Sequence, residues 1–389
     1  MPDFKYVLVG GGMTGHAAAQ GIRSADASGS IALVGEEPVP PYARPPLTKG
    51  LWAGKEEGAI WLPEVKGVSL LTGVRVVAID RARRRVALEG GETLGYERLL
   101  LATGGTPRRL PFGGDGVVYY RTVAGFRRVH ALPVGKHVAV VGGGFIGSEL
   151  AASLATAGYR VTLVFPEDGI CARLLPRDLA LHLNGYYAER DVEVRAVEQV
   201  TGISAHGSGF TVATSRAELR ADLVVAGLGI VPNDALAAGA GLAVDDGIVV
   251  DETLRTSDPD VFAAGDVARF WSPALGQRIR VEHEDNANRM GWAAGRAMAG
   301  AETAYRHLPF FYSDLFDLGY EAVGVLDARL EVVADWAEPF RRGVVYYLAE
   351  GRVLGVLTWG VFGAMDAARA LIAEPGPHAA ATLRGRIPA

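Results

Sequence analysis

The chain contains a single cysteine, Cys171, in 389 residues. One thiol cannot make an internal disulfide, a Cys-x-x-Cys redox pair or a thiolate-held metal or iron–sulfur centre. Lysine is also scarce: among 39 basic residues only Lys5, Lys49, Lys55, Lys66 and Lys136 are lysine, so a lysine inside a motif is informative. No apolar run reaches the roughly 18–20 uncharged residues that a spanning helix needs, so no membrane partner is expected. The net charge of −5 gives no reason to expect nucleic acid. Nothing resembling a basic and apolar leader stands ahead of the strand-like run Phe4 to Val9, and a cytoplasmic location is expected. His283 and the acids around it lack a convincing ligand set, so no metal is expected.

What is present is ordinary for a globular protein, 49% hydrophobic and 21% charged, with length for two or three domains. The strongest signal is a repeated strand–glycine–helix unit. Phe4 to Val9 leads through Gly10, Gly12 and Gly15 into an Ala-rich helix pattern, His16 to Arg23. His137 to Val141 leads likewise through Gly142, Gly144 and Gly147 into Ser148 to Ala157. Alone, G-x-G-x-x-G can be only a tight turn, but two copies in strand–helix context point to two dinucleotide sites. The glycines let a pyrophosphate approach the backbone, and the helix N-terminus supplies amides and about half a positive charge. Each unit continues into a second strand ending in an acid, Glu36 or Glu167, where an adenosine ribose is hydrogen-bonded. In the second unit the usual register falls on Phe165, with Glu167 two residues later.

Turn-rich α/β patterns continue to the Ala226-Gly-Leu-Gly229-Ile-Val-Pro-Asn233 stretch. Downstream, Thr256 to Asp266 reads as a strand ending in a glycine and an acid, and Val281 to Asn286 caps a helix pattern over Ala287 to Ala299. From Phe311 the character changes: Glu321 to Val325, Gly343 to Leu348 and Val353 to Trp359 read as antiparallel strands, and Ala364 to Ala373 as a closing helix. The expected fold is α/β: two Rossmann-like dinucleotide-binding domains and a C-terminal α+β domain with an antiparallel sheet. The boundaries are drawn at 1–113 with 240–310, at 114–239, and at 311–389.

Two such folds in series, with Ala102-Thr-Gly-Gly-Thr-Pro-Arg108 and Phe262-Ala-Ala-Gly-Asp266, resemble the FAD-dependent pyridine-nucleotide reductases. The resemblance covers almost the whole chain and implies FAD in the first fold, NAD(P)H in the second, and a third domain forming a dimer or docking surface. Arg44-Pro-Pro-Leu-Thr-Lys49, Gly142 to Glu149, Leu163-Val-Phe-Pro-Glu167, Val281-Glu-His283, Tyr312-Ser-Asp-Leu and Gly319 to Gly324 narrow the branch. They look like apoptosis-inducing factor and its bacterial relatives, the NADH-dependent ferredoxin reductases of oxygenase systems. The tail Leu357 to Arg369 leans toward the former. Tyr312 departs from those relatives, which place a Trp there to pack on the flavin; tyrosine can still stack, with an added hydroxyl.

The resemblance implies roles. The rigid Pro-Pro turn delivers Lys49 beside flavin N5, paired with Glu149; the ammonium stabilises an electron-rich flavin and the carboxylate orients it and can bond the nicotinamide amide. The bland alternative is a surface ion pair worth about 0–1 kcal/mol. Arg44 and Arg121 are implied FAD contacts, a guanidinium fork suiting a pyrophosphate; solvated arginines are the alternative. Val76 resembles the backbone contact to adenine, although burial alone would explain it. Thr103 and Gly104 pass close to FAD, Asp266 accepts from the ribityl hydroxyl, and Glu282 with His283 opens the helix aimed at the pyrimidine ring. Phe145 forms an aromatic lid that yields to nicotinamide, against a reading of core packing, and Ile146 and Gly229 are further cofactor contacts. Glu167 would bind a ribose 2′-OH and repel a 2′-phosphate, so NADH is expected ahead of NADPH.

Two functions follow. In the first, hydride passes from NADH to FAD and single electrons leave to a ferredoxin-like acceptor, with no redox disulfide. In the second, a sensor of the apoptosis-inducing-factor kind holds a long-lived FADH2–NAD charge-transfer complex and turns over slowly. The enzyme reading ranks first, and homodimerisation is left open. The basic clusters Arg81 to Arg85, Arg108-Arg109 and Arg127-Arg128 could steer an acidic ferredoxin or be solvated faces.

Overall fold

A computed structural model describes residues 3–389. The chain divides into two compact units. One takes the chain through Ala43, Glu57–Thr106 and Val231–Pro309; the other takes Arg44–Glu56, Pro107–Ile230 and Phe310–Ala389.

The first unit is built on a seven-stranded sheet. Its parallel part runs Val68–Thr72, Ile31–Gly35, Asp3–Val9 and Thr93–Leu101, with the short strand Val261–Ala263 added parallel to Thr93–Leu101. Val76–Asp80 and Arg85–Leu88 extend it as antiparallel strands. Tyr6 to Val9 and Ile31 to Val34 are buried along their whole length, as a sheet covered on both faces requires. Helix Met13–Ala25 packs on helix Glu284–Met298 through small residues. A Cβ on Gly291 would meet the Thr14 carbonyl oxygen at 2.4 Å, and one on Gly295 would meet that of Ala18 at 2.0 Å.

The second unit has a five-stranded parallel sheet in the order Val192–Arg195, Arg160–Val164, His137–Val141, Leu223–Ala226, Val117–Tyr119. A three-stranded antiparallel meander, Val200–His206, Gly209–Thr214 and Glu218–Ala221, packs its apolar side chains with those of this sheet. The last part of the chain forms a five-stranded antiparallel sheet in the order Phe310–Leu315, Leu318–Gly324, Arg352–Trp359, Arg342–Ala349, Glu331–Glu338, with helix Met365–Ala373 against it.

Two strands of that last sheet, Phe310–Leu315 and Glu331–Glu338, were not foreseen. Glu331–Glu338 is an edge strand with one buried residue, so it carries almost no apolar alternation. Helix Glu284–Met298 starts three residues before its expected first position, because the acids of its first turn suit an N-terminus. No described helix is long and apolar enough to cross a membrane.

The Arg81 to Arg85 cluster is not a free basic face. Arg81 pairs with Asp258 at 2.7 Å, Arg83 with Asp80 at 2.8 Å, Arg85 with Asp3 at 3.2 Å, and Arg84 with Asp260, which Arg98 also engages.

Candidate functional site

In the first unit the three motif glycines do different work. Gly10 has φ +127°, and a Cβ there would meet the Ala102 carbonyl oxygen at 2.1 Å; one on Gly15 would meet the Gly10 carbonyl oxygen at the same distance. Around Gly12 nothing lies within 4 Å of where a Cβ would stand. Two glycines therefore seal strand against helix, and the middle one leaves space above a helix start that no side chain caps. Those residues fit a pyrophosphate. Glu36 follows strand Ile31–Gly35 and is exposed, its nearest cation being Arg75 at 4.0 Å. Val76 is buried at the start of its strand.

Asp266 sits in the short 3₁₀ turn Gly265–Val267. A Cβ on Gly265 would meet Thr14 Oγ1 at 2.3 Å, so this turn lies against the first turn of helix Met13–Ala25. His283 is the N-cap of helix Glu284–Met298, and burial pushes its pKa down to about 4 against the opposing charges of Asp266 and Asp285. The imidazole is thus neutral near pH 7. Glu282 accepts from Arg280 Nη1 at 2.8 Å. Thr103 Oγ1 donates to the Asn233 carbonyl at 2.8 Å, and Asn233 returns bonds of 2.9 Å to the carbonyls of Thr103 and Gly104. The first unit thus gathers Gly12, Asp266 and the His283-capped helix around one helix start.

The second glycine loop repeats the first. A Cβ on Gly142, at φ +109°, would meet the Gly227 carbonyl oxygen at 2.5 Å, one on Gly147 would meet that of Gly142 at 1.8 Å, and Gly144 again has nothing within 4 Å. Helix Phe145–Thr156 begins without a side-chain cap. Phe165, at the register of the ribose-binding acid, is buried with its ring against Gly143. Glu167 lies beyond it, 2.7 Å from Arg173, whose side chain is exposed. Phe145 is half-buried and meets Phe311 edge-on, ring centroids 5.0 Å apart, while Ile146 is exposed. Gly229, at φ +76°, gives its carbonyl to Arg108 N at 2.9 Å.

The Pro-Pro turn folds as the 3₁₀ segment Pro45–Thr48. Its Leu47 carbonyl accepts from Trp52 Nε1 and from the Tyr120 hydroxyl, and its Thr48 carbonyl accepts from Ser153 Oγ at 2.6 Å. The loop is thereby fixed to helix Phe145–Thr156. Lys49 Nζ pairs with Glu149 Oε1; Thr48 Oγ1 donates to Oε2 at 2.7 Å and Ser313 Oγ to Oε1 at 2.6 Å. Glu149 is buried, and Lys49 Nζ stands 5.2 Å from the ring centroid of Tyr312, which is exposed. This is no solvated surface pair. Arg44 Nη1 donates to the Arg121 carbonyl at 2.9 Å in the same unit. Cys171 is buried, and burial pushes its thiol up to about 12, so it is inert at neutral pH.

Ser313 stands inside the Tyr312-Ser-Asp-Leu motif, but neither it nor Ser153 was expected to touch the site. Ser313 follows the exposed Tyr312, and period-two alternation on a strand would have marked it as a buried hydroxyl in need of a partner. Ser153 gives no such signal. Among the described residues there is no group of three or more His, Cys, Asp or Glu placed to hold a metal.

Two glycine loops open above uncapped helix starts, a buried ammonium–carboxylate pair and no usable thiol define a nucleotide-dependent oxidoreductase that works without a disulfide. Residues 4–291 match the pyridine nucleotide-disulphide oxidoreductase family, and 294–339 and 335–374 match the C-terminal domain family of apoptosis-inducing factor, mitochondrion-associated. The chain is 37% identical over 384 residues to the ferredoxin–NAD(+) reductase component of the anthranilate 1,2-dioxygenase system of Burkholderia cepacia, covering 95% of this chain and 94% of that one. It is 33% identical to apoptosis-inducing factor 1, mitochondrial, of Dictyostelium discoideum, covering 95% and 78%. The crystal structure of the covalent putidaredoxin reductase–putidaredoxin complex superposes with a TM-score of 0.89 at 32% identity, covering 97% and 94%. The chain belongs to the pyridine nucleotide-disulphide oxidoreductase family and is an NAD(P)H-dependent flavoprotein oxidoreductase.

Proposed function

We propose that this protein carries electrons from NADH, by way of FAD, to a ferredoxin-like one-electron carrier. The observation that carries the reading is the buried Lys49–Glu149 pair in a chain whose lone thiol is inert. FAD, when bound, accepts a hydride and gives up its electrons one at a time. The chain's residues do the rest. The open Gly12 face and its helix start would hold the FAD pyrophosphate, with Glu36 on the ribose and Asp266 on the ribityl chain. Arg44, Arg121, Val76, Thr103, Gly104, Glu282, His283 and Tyr312 are assigned to the same cofactor. Gly142, Gly144, Gly147, Phe145, Ile146, Gly229 and Glu167 are assigned to the pyridine nucleotide. Lys49 presents its ammonium to the charge that hydride transfer creates, and Glu149 holds it there. An FAD-binding domain at 1–113 and 240–310, an NAD(H)-binding domain at 114–239 and a C-terminal interface domain at 311–389 go with these assignments, as does a cytoplasmic location.

NADH is preferred to NADPH because the Glu167 carboxylate repels a 2′-phosphate. The Arg81 to Arg85 cluster, already paired with acids, gives little support to docking there. Homodimerisation through the third domain stays a proposal, to be checked by sedimentation.

The test is anaerobic stopped-flow reduction by NADH and by NADPH, then mixing with a two-iron ferredoxin or air. Fast reduction by NADH and rapid reoxidation by ferredoxin are expected. The match of residues 294–374 to apoptosis-inducing factor favours a second reading, an NADH sensor. Slow reduction leaving a long-wavelength band that persists in air would move the assignment to it.

A further inference from the structure

Glu149 is held by donors from two stretches of chain far apart in sequence. Lys49 and Thr48 come from the Pro-Pro turn, and Ser313 comes from strand Phe310–Leu315 of the C-terminal sheet. That strand alternates: Tyr312 is exposed, Ser313 is 1% exposed, Asp314 is exposed and Leu315 is buried. One peptide step therefore separates the ring that stands 5.2 Å from Lys49 Nζ from the hydroxyl that lies 2.6 Å from Glu149 Oε1. Lys49 and Ser313 share that oxygen, while Thr48 takes Oε2. A carboxylate has acceptor sites for all three, and each donor limits its rotation.

Lys49 is otherwise a flexible four-carbon stem, and it can be placed no better than the oxygen it pairs with. Thr48 fixes one end of the carboxylate. Only Ser313 fixes the Oε1 end from a direction independent of the turn that carries Lys49. The Ser313 hydroxyl also faces a buried neighbour across the strands, Tyr320, in direct register, so its surroundings are packed and it has little freedom to leave.

We propose that Ser313 is a positioning residue for hydride transfer: acting through Glu149 Oε1, it sets where the Lys49 ammonium stands and ties that position to the strand bearing Tyr312. The proposal rests on the reading above in which Lys49 serves the flavin.

The test compares Ser313→Ala, Lys49→Ala and the double variant, each as purified holoprotein. Removal of one oxygen from Ser313 should lower the rate of flavin reduction at saturating NADH about tenfold, the size expected for a lost hydrogen bond to a charged group. Flavin content and half-saturating NADH should stay near wild type. In the Lys49→Ala background the same change should have no further effect, as for two residues acting in one chain of contacts. A second readout needs no turnover: competitive acylation of the five lysines, followed by mass spectrometry. Ser313→Ala should at least double Lys49 labelling relative to Lys5, Lys55, Lys66 and Lys136. Equal loss of rate in both backgrounds, or unchanged rate and labelling in Ser313→Ala, would overturn the proposal. An unchanged rate in Lys49→Ala would instead overturn the functional reading, and the labelling result would still judge the Ser313–Glu149–Lys49 geometry.

Discussion

Thr48 Oγ1 lies 2.7 Å from Glu149 Oε2, although 101 positions separate them in the chain. The turn that carries Thr48 also carries Lys49, and Ser153, one turn beyond Glu149 on the same helix, holds the Thr48 carbonyl at 2.6 Å. Helix Phe145–Thr156 thus grips the loop at two points and leaves the ammonium little choice of position.

Lys49→Ala should slow reduction by NADH about a hundredfold to a thousandfold, the range in which loss of one charge-stabilising donor falls. Thr48 and Ser313 still satisfy Glu149, so the protein should fold and keep its flavin, with a loss of about 1–3 kcal/mol from the buried carboxylate's missing partner. Stopped-flow rates and flavin content measure both. An unchanged rate removes Lys49 from the site.

Gly144 and Gly147 should respond oppositely to alanine. At Gly147 the new Cβ would meet the Gly142 carbonyl at 1.8 Å, so the loop must distort, costing about 1–3 kcal/mol and lowering the melting temperature. At Gly144, with nothing within 4 Å, the fold should be untouched, while half-saturating NADH rises tenfold or more. Equal melting temperatures for the two variants would contradict this reading of the loop.

Glu167 and Arg173, 2.7 Å apart, should set nucleotide choice together. Glu167→Gln removes the repulsion of a 2′-phosphate and frees an exposed guanidinium to bind one. The ratio of kcat/KM for NADPH over NADH should rise at least tenfold, and the double variant with Arg173→Ala should lose most of that gain. A ratio indifferent to Glu167→Gln would put the ribose elsewhere.

His283 predicts acid sensitivity. Its folded pKa, about 4, lies below the ordinary value of 6.5, so the unfolded chain binds the extra proton in between. Its contribution is fully present above pH 6.5 and is lost as pH falls from 6.5 to 4. Across that window the melting temperature of the wild type should fall more steeply than that of His283→Gln. Parallel curves would mean that the ring is not held neutral.

Much of the first unit and of the second nucleotide fold was legible in the linear chain. The paired glycine loops are local: strand, tight turn and helix are specified by residues within about thirty positions, and buried parallel strands announce themselves as unbroken apolar runs. Glu331–Glu338 was not legible, because a polar edge strand is chosen by its neighbour's free backbone groups and not by its own pattern. Phe165 shows the same limit from another side. Its place in the motif was readable, but its burial against Gly143 depends on packing.

The sequence by itself determined what chemistry is excluded and what is bound: one cysteine rules out a disulfide relay, and two glycine motifs in strand–helix context specify two dinucleotide loops. Only the tertiary structure decided that Lys49 is the half-buried partner of a buried Glu149 held by three donors instead of a solvated charge, and that the basic run at Arg81 to Arg85 is spent on Asp258, Asp260, Asp80 and Asp3. The physical reason is distance along the chain. A glycine's tolerance is a property of its own backbone, whereas the worth of a charge depends on what surrounds it, and those groups come from segments as far apart as Thr48, Glu149 and Ser313.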